Sequence, residues 1–343
     1  MSAFNVALPL LSCLSSFLFA GLVLDQWRRR RRSFQLVWAA GLTWYGIGAG
    51  TEFLGSAFGW TEPLYRTWYL FGALFVAAYL GAGTIYLLVR TGFGYFASAA
   101  VFLGGLLALA VAARYPGSRG TAEVVLAAAT VAAVVLSYFT ARRRPLVGHA
   151  AILFLVAASI VVAVLVATAP LAPPGYAVDP RTHVPVGSAF PGYVRVLSGP
   201  FNVAGALCLV FGALFSAYVY MPKRKLLRSR RLPPVLGQAY AALAVCVNLV
   251  ASLPRAVGAL LAGRLNSRVP ATLLIAVGGF IPGVTSGLDR FGITWSFFLG
   301  ELLGVLFIFA GFLVSEDVFR DLRIARHERR APPKGIEGRG KAV

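Results

Sequence analysis

The stretch VALPLLSCLSSFLFAGLVLDQWRRRRR, residues 6–32, decides the fold class of this chain. Residues 6–24 carry no charged side chain, and a helix needs about 20 apolar residues to cross the hydrocarbon core of a bilayer. The arginines of Arg28–Arg32 follow the apolar stretch instead of preceding it, which is unlike a cleaved signal peptide. The stretch therefore predicts a first transmembrane helix with its N-terminus outside and its arginines in the cytoplasm.

The composition of the whole chain favours the same class. Of the 343 residues, 58% are hydrophobic and 13% are charged, against about 25% charged in an ordinary soluble domain. The formal net charge is +20, but the basic clusters lie between apolar segments. This placement favours contact with membrane lipid, including anionic headgroups at the cytoplasmic face, and argues against nucleic-acid binding. We expect an all-α integral membrane protein, a polytopic helical bundle.

Apolar segments of sufficient length recur along the chain and predict about nine transmembrane helices. The basic residues concentrate after alternate spans, which predicts an N-out, C-in orientation in the plasma (inner) membrane. We expect a single transmembrane domain over residues 1–319 and a basic cytoplasmic tail over 320–343. The clearest spans are residues 6–24, 34–58, 65–89, 93–113, 122–139, 147–171, 197–221 and 293–315.

The segment between residues 233 and 292 permits two topologies. Basic clusters flank it and should both be cytoplasmic, so the chain crosses an even number of times between them, and 293–315 supplies one crossing. The other crossing is either 237–262 or 269–288, and proline or glycine residues interrupt both. The segment that does not cross should be broken, interfacial or re-entrant. We prefer 269–288 as the crossing because it leaves these basic residues inside: Arg255, Arg264 and Arg268.

Two acidic residues inside predicted spans carry the functional expectation. Glu52 lies about 6 residues from the outer end of its span and Glu301 about 8, so both carboxylates lie about 9–12 Å below the outer surface. A charged side chain at the bilayer centre costs about 2.5–3.5 kcal/mol, so one that remains usually faces protein, water or a ligand. We expect an outer-side intramembrane pocket between them, unless the two carboxylates serve only as interhelical hydrogen-bond partners.

Further polar residues lie near the same pocket in this topology. Arginines at the outer ends of spans are possible counter-charges, and the set suits a small cationic or zwitterionic ligand, a lipid-like ligand or a proton relay. No catalytic, nucleotide-binding or metal-ligating motif is recognisable, so we predict no metal and no cofactor, and assign no catalytic residue. The candidate ligand-binding residues are Glu52, Glu301, Tyr45, Arg66, Tyr69, Asn202, Asp289 and Arg290.

The sequence thus predicts a protein that binds or translocates a small or lipid-like ligand through this pocket. Two alternatives stay open: a ligand-sensing or accessory subunit that acts through a membrane or cytoplasmic protein partner, and a membrane-embedded lipid-modifying enzyme. The proline-rich outer loop, residues 172–196, is either a plain connector or a segment that folds over the outer opening.

The first seven predicted spans resemble the seven-helix sensory modules of bacterial histidine kinases. The resemblance rests on the orientation, on the arginines after the first span, on Trp44 and Glu52 in the second, and on Trp68 and Tyr69 at the start of the third. It covers residues 1–221 and implies a sensory role. The chain departs from that pattern by two added spans and by the lack of a kinase domain, so we do not assign it to the family.

Overall fold

A computed structural model describes residues 3–228, 234–289 and 296–315, and this part of the chain is helical without strands. Nine helices in these ranges are long and apolar enough to cross a membrane, by length and composition. The chain is therefore an all-α polytopic membrane protein, as the sequence predicts. Its α-helices are α1 (Ala3–Arg30), α2 (Ser33–Phe58), α3 (Glu62–Leu70), α4 (Val76–Leu87), α5 (Phe93–Ala112), α6 (Arg119–Arg142), α7 (Val147–Thr168), α8 (Gly192–Arg195), α9 (Gly205–Tyr220), α10 (Pro234–Leu261), α11 (Arg268–Asp289) and α12 (Phe297–Val314).

The central helix α2 is not among these nine, whereas α10 and α11 both are. It has 26 residues, which corresponds to about 39 Å of helix. Of these residues 13 are buried, including the polar Gln35, Thr51 and Glu52, because α2 packs against α1, α3 and α4. Much of the surface of α2 faces protein instead of lipid. The helix can therefore cross the membrane although it is less apolar than the nine helices above.

Contacts between helices show that successive passes alternate in direction. The start of α11 meets the end of α9, where Arg268 donates a hydrogen bond to the Tyr220 hydroxyl at 2.6 Å. The helices α1 and α12 run parallel, because Phe19 stacks on Phe309 with ring centroids 4.9 Å apart while Leu8 packs near Phe297. If α2 is counted as a pass and α10 is set aside, the described chain makes nine alternating passes.

The proline and glycine residues of α10 and α11 do not break these helices. Pro254 and Pro282 both lie inside continuous helices, so the expected interruptions of 237–262 and 269–288 were wrong. The glycines of α11 serve close packing instead. A Cβ atom on Gly278 would lie 2.6 Å from the carbonyl oxygen of Gly304 on α12, so the two backbones approach closely, as small residues permit in membrane helices.

Candidate functional site

Glu52 lies in the protein interior and does not face lipid. Its side chain is 0% exposed, and its Oε1 atom accepts a hydrogen bond of 2.8 Å from the indole Nε1 of Trp68 on α3. The small-residue face of α2 makes this approach possible. A Cβ on Gly48 would lie 2.6 Å from the Cα of Gly72. A Cβ on Gly55 would lie even closer to the indole ring of Trp60. The glycine spacing of α2 thus positions the carboxylate against α3.

Tyr45 connects α2, the helix that carries Glu52, to Glu301. Its hydroxyl donates a 2.7 Å hydrogen bond to the backbone carbonyl of Glu301, which joins α2 to α12. The carboxylates of Glu301 and Glu52 both act electrostatically on this phenol. Because α2 and α12 are antiparallel and helical side chains lean toward their own N-terminus, the two glutamates lean toward each other. Of the predicted site residues, Tyr45 and Glu301 are therefore in direct contact.

Buried hydroxyl groups on α1 and α2 were not predicted as part of the site. Ser12 and Ser16 are 0% exposed and Ser56 is 1% exposed, and their Oγ atoms have no hydrogen-bond partner among the described residues. The parallel pairing of α1 with α12 puts Ser12 near the level of Glu301. The signal in the sequence is the i, i+4 spacing of Ser12 and Ser16, which places both on one face of the first span.

Arg66 does not act as the counter-charge of these glutamates. Its guanidinium binds Glu62 one turn earlier, with Nη2 to Oε1 at 2.7 Å, and donates to the backbone carbonyls of Val166 and Ala169 at the end of α7. A cation at a helix C-terminus stabilises the unpaired carbonyls there. Arg66 therefore fastens α3 to the end of α7.

Asn202 is also placed outside the glutamate pair. It lies in a π-helical turn, Gly199–Ala204, that faces a second one, Phe71–Phe75, between α3 and α4. Its Nδ2 atom donates a 2.7 Å hydrogen bond to the backbone carbonyl of Ala73. A π-turn leaves backbone groups without their usual helical partners, and the Asn202 amide compensates for this. Its position is explained by packing between two passes.

Tyr69 packs under the loop of residues 172–196. Its ring lies 4.3 Å from that of Phe190, centroid to centroid, and a Cβ on Gly187 would touch it. The neighbouring Tyr65 donates its hydroxyl proton to the carbonyl of Val186. Residues 172–196 therefore pack over α3, and the simple-connector alternative was wrong.

The same loop also reaches α1 and α12. Asn5 donates to the carbonyl of Thr182 at 2.7 Å, and Val184 is buried against Phe297 at the start of α12. Within the loop, backbone N–H donation from Thr182 and then from Arg181 lowers the pKa of Asp179, which stays a charged acceptor. The loop covers the end of the bundle that lies nearest to Glu52 and Glu301.

Two predicted residues cannot be placed in the site. Asp289 is the last residue of α11, and Arg290 lies outside the described residues, as does the predicted tail 320–343. Within the described ranges, no group of three or more His, Cys, Asp and Glu residues is arranged to hold a metal ion.

The fold defines a class: polytopic helical membrane proteins, with one fully buried glutamate, Glu52 on α2, and a partly buried one, Glu301 on α12, in this chain. Beyond this class the comparisons add nothing, since the chain matches no protein-family model, no curated protein and no solved structure.

Proposed function

We propose that this protein binds a small or lipid-like ligand at the junction of α1, α2 and α12, where Glu52 and Glu301 supply the charge and Tyr45 orients them. The observation that carries the proposal is the hydrogen bond that the buried phenol of Tyr45, on the same helix as the fully enclosed Glu52, donates to the backbone of Glu301. A cationic or zwitterionic ligand group suits this site best, because two carboxylates of like charge need compensation in an environment of low dielectric.

The hydroxyl groups of Ser12, Ser16 and Ser56 support ligand binding over a purely structural role. A buried hydroxyl without a hydrogen-bond partner costs about 1–3 kcal/mol. An interhelical fastening between α2 and α12 requires neither a second acidic residue nor three further hydroxyls, and the bond from Tyr45 already supplies it. A polar ligand or ordered water at the junction satisfies these groups.

Access to the site depends on the outer loop. Residues 172–196 contact α1, α3 and α12, so we expect a ligand from the outer side to enter only when this cover moves. We assign the loop to the outside and the arginine-rich end to the cytoplasm of a plasma (inner) membrane protein, because basic residues concentrate on cytoplasmic loops. Movement of the loop is then the step that distinguishes translocation from simple binding.

The test uses a panel of small organic amines, amino acids and betaines with the purified full-length protein in detergent. At least one compound should raise the Tm of the wild type. Glu52→Gln and Glu301→Gln should abolish that rise. The Tm without ligand should stay nearly unchanged, because the amide oxygen at position 52 still accepts from Trp68 and the bond from Tyr45 goes to the backbone carbonyl at position 301. The matched control is Glu123→Gln, whose side chain is 57% exposed on α6.

The pocket hypothesis fails if both glutamine variants respond to the compound as the wild type does.

A second experiment measures flux of the same compound in proteoliposomes. Translocation gives flux, whereas ligand sensing gives binding without flux. Product formation from membrane lipid, abolished by the same two substitutions, would instead favour the lipid-modifying enzyme.

A further inference from the structure

The basic segment after α9 lies along the polar face of α10. Residues 223–228 are mostly exposed, yet their backbone is held by side chains that line one face of this helix. Asn248 and Ser252 are 4% and 0% exposed, although both are polar. The contacts are Arg255 to the carbonyl of Lys223 at 2.9 Å, the N–H of Arg224 to Ser252 at 2.8 Å, the N–H groups of Leu226 and Leu227 to Asn248 at 2.7 and 3.0 Å, and Tyr240 to the carbonyl of Arg228 at 2.9 Å.

The opposite face of α10 is an exposed apolar stripe. Leu243, Val250 and Val257 are 56%, 64% and 54% exposed, and their spacing of seven residues puts them on one side of the helix. Cys246, Leu253 and Leu260 extend the same stripe and are exposed as well. Such a two-sided helix, with basic residues beside its polar face, has the pattern of a helix that lies in a membrane interface.

The ends of the segment that contains α10 lie at one end of the bundle. Arg268, at the start of α11, contacts Tyr220, the last residue of α9. Ala256 of α10 is buried with Met221 and Val269 in a cluster at the same place. The chain therefore leaves the bundle and re-enters it at the same end, which a single crossing by α10 does not allow.

A crossing α10 would also carry charges into the hydrocarbon core. Because the basic segment follows its polar face from Tyr240 to Arg255, the exposed side chains of residues 223–228 would lie at membrane depth with it. Each such charge carries a large penalty at the bilayer centre, whereas the same charges near an anionic lipid surface are attracted to it.

We propose that α10 lies in the plane of the membrane at the arginine-rich end of the bundle and forms a binding surface for anionic phospholipids. The apolar stripe is buried among acyl chains. The basic residues of the segment bind the phosphate-containing headgroups: Lys223, Arg224, Lys225 and Arg228. This inference is independent of the glutamate site, because none of these residues contacts it.

The first test measures depth. Spin labels are placed at positions 243, 250 and 257 of the full-length protein, one at a time, after replacement of the native cysteines, in nanodiscs of phosphatidylcholine and phosphatidylglycerol. A helix in the membrane plane puts all three labels at the same depth within about one turn, about 5 Å, whereas a crossing helix separates the outer two by about 21 Å. Labels at Leu299 and Leu306 of the membrane-spanning α12 calibrate the measurement, with an expected separation of about 10 Å.

The second test measures lipid preference at Cys246, the native cysteine on the stripe. A bimane label there is quenched by brominated phosphatidylglycerol or by brominated phosphatidylcholine in otherwise identical vesicles. The wild type should prefer the anionic lipid, and Lys225→Glu with Arg228→Glu should lower that preference by roughly fivefold or more, since each basic residue near an anionic surface contributes about that factor. Charge reversal at Arg114 and Arg119, at the other end of the bundle, is the control and should leave the preference unchanged.

Three results overturn the proposal. A progressive change of depth from 243 to 257 means that α10 crosses the membrane. Equal quenching by both lipids in the wild type removes the anionic site. Quenching by neither lipid means that the stripe is covered by protein, such as a second copy of this chain.

Discussion

At the scale of single residues, the pair formed by Trp68 and Glu52 shows how a carboxylate can lie inside this protein. The carboxylate is fully buried, and the indole N–H donates directly to it at 2.8 Å. A hydrogen bond to a charged group contributes about 1.5–3 kcal/mol, more than one between neutral groups. Trp68 therefore stabilises the side chain of Glu52 in the protein interior.

Replacement of Trp68 by phenylalanine tests this interaction. Trp68→Phe should lower the free energy of unfolding by about 1.5–3 kcal/mol, because the buried acceptor loses this donor. Reversible unfolding of the purified protein in mixed micelles of increasing SDS content measures the change. Trp60→Phe is the matched control, since Trp60 packs on the Trp68 ring, at 6.2 Å between centroids. Equal losses in both variants would show that ring packing, and not the hydrogen bond, determines the effect.

At the scale of elements, the approach of α2 to the α3 pass depends on one glycine. A Cβ on Gly48 would lie 2.6 Å from the Cα of Gly72, a backbone atom that cannot move away by changing rotamer. Gly48→Ala should therefore lower the free energy of unfolding by about 1–3 kcal/mol, as overpacking does in other cores. The same substitution should also lengthen the Trp68 to Glu52 hydrogen bond and alter the tryptophan fluorescence.

Gly21→Ala provides the control for this prediction. No heavy atom lies within 4 Å of a Cβ on Gly21, so the substitution meets open space on α1. It should be neutral or stabilising by up to about 1 kcal/mol, because alanine is the better helix former. If Gly48→Ala is equally harmless in SDS unfolding, α2 and α3 are not as tightly packed as the geometry indicates.

The sequence predicts α2 more successfully than α11, and the reason is physical. In α2 the small residues and Glu52 share one face, and a single helical period is enough to infer a buried contact. In α11 the residues Gly278, Gly279 and Pro282 indicate a break when helix propensity is considered alone. Packing against α9 and α12 overrides that propensity, and information about those neighbours is not contained in the segment itself.

The same limit applies to the candidate site residues. Hydropathy and charge predict the direction in which α2 and α12 cross the membrane, and this direction predicts the depth of each residue. Tyr45 and Glu301, which are in contact, could therefore be expected near each other. Arg66 and Asn202 lie at a suitable level too, but their partners are the carbonyls of α7 and of a π-helical turn. Which passes are neighbours cannot be inferred from hydropathy, so a residue can be predicted at the right depth and still face another part of the bundle.

At the scale of the whole molecule, the alternating passes predict the side on which each loop lies. Arg181 is exposed in the loop that covers α1, α3 and α12, whereas Arg264 is exposed just before α11, at the opposite end. The positive-inside rule assigns the first position to the outside and the second to the cytoplasm. Single cysteines at these positions, in a cysteine-free background, are labelled with a membrane-impermeant maleimide before and after permeabilisation of intact cells.

Arg181→Cys should be labelled in intact cells, and Arg264→Cys only after permeabilisation. The two positions together separate two sources of error. Labelling of both positions from one side would show that the number of passes between them is wrong, most directly that α9 does not cross or that α10 does. Exchange of the two labelling patterns would leave the bundle intact but reverse its orientation, and the covered end with Glu52 and Glu301 would then face the cytoplasm.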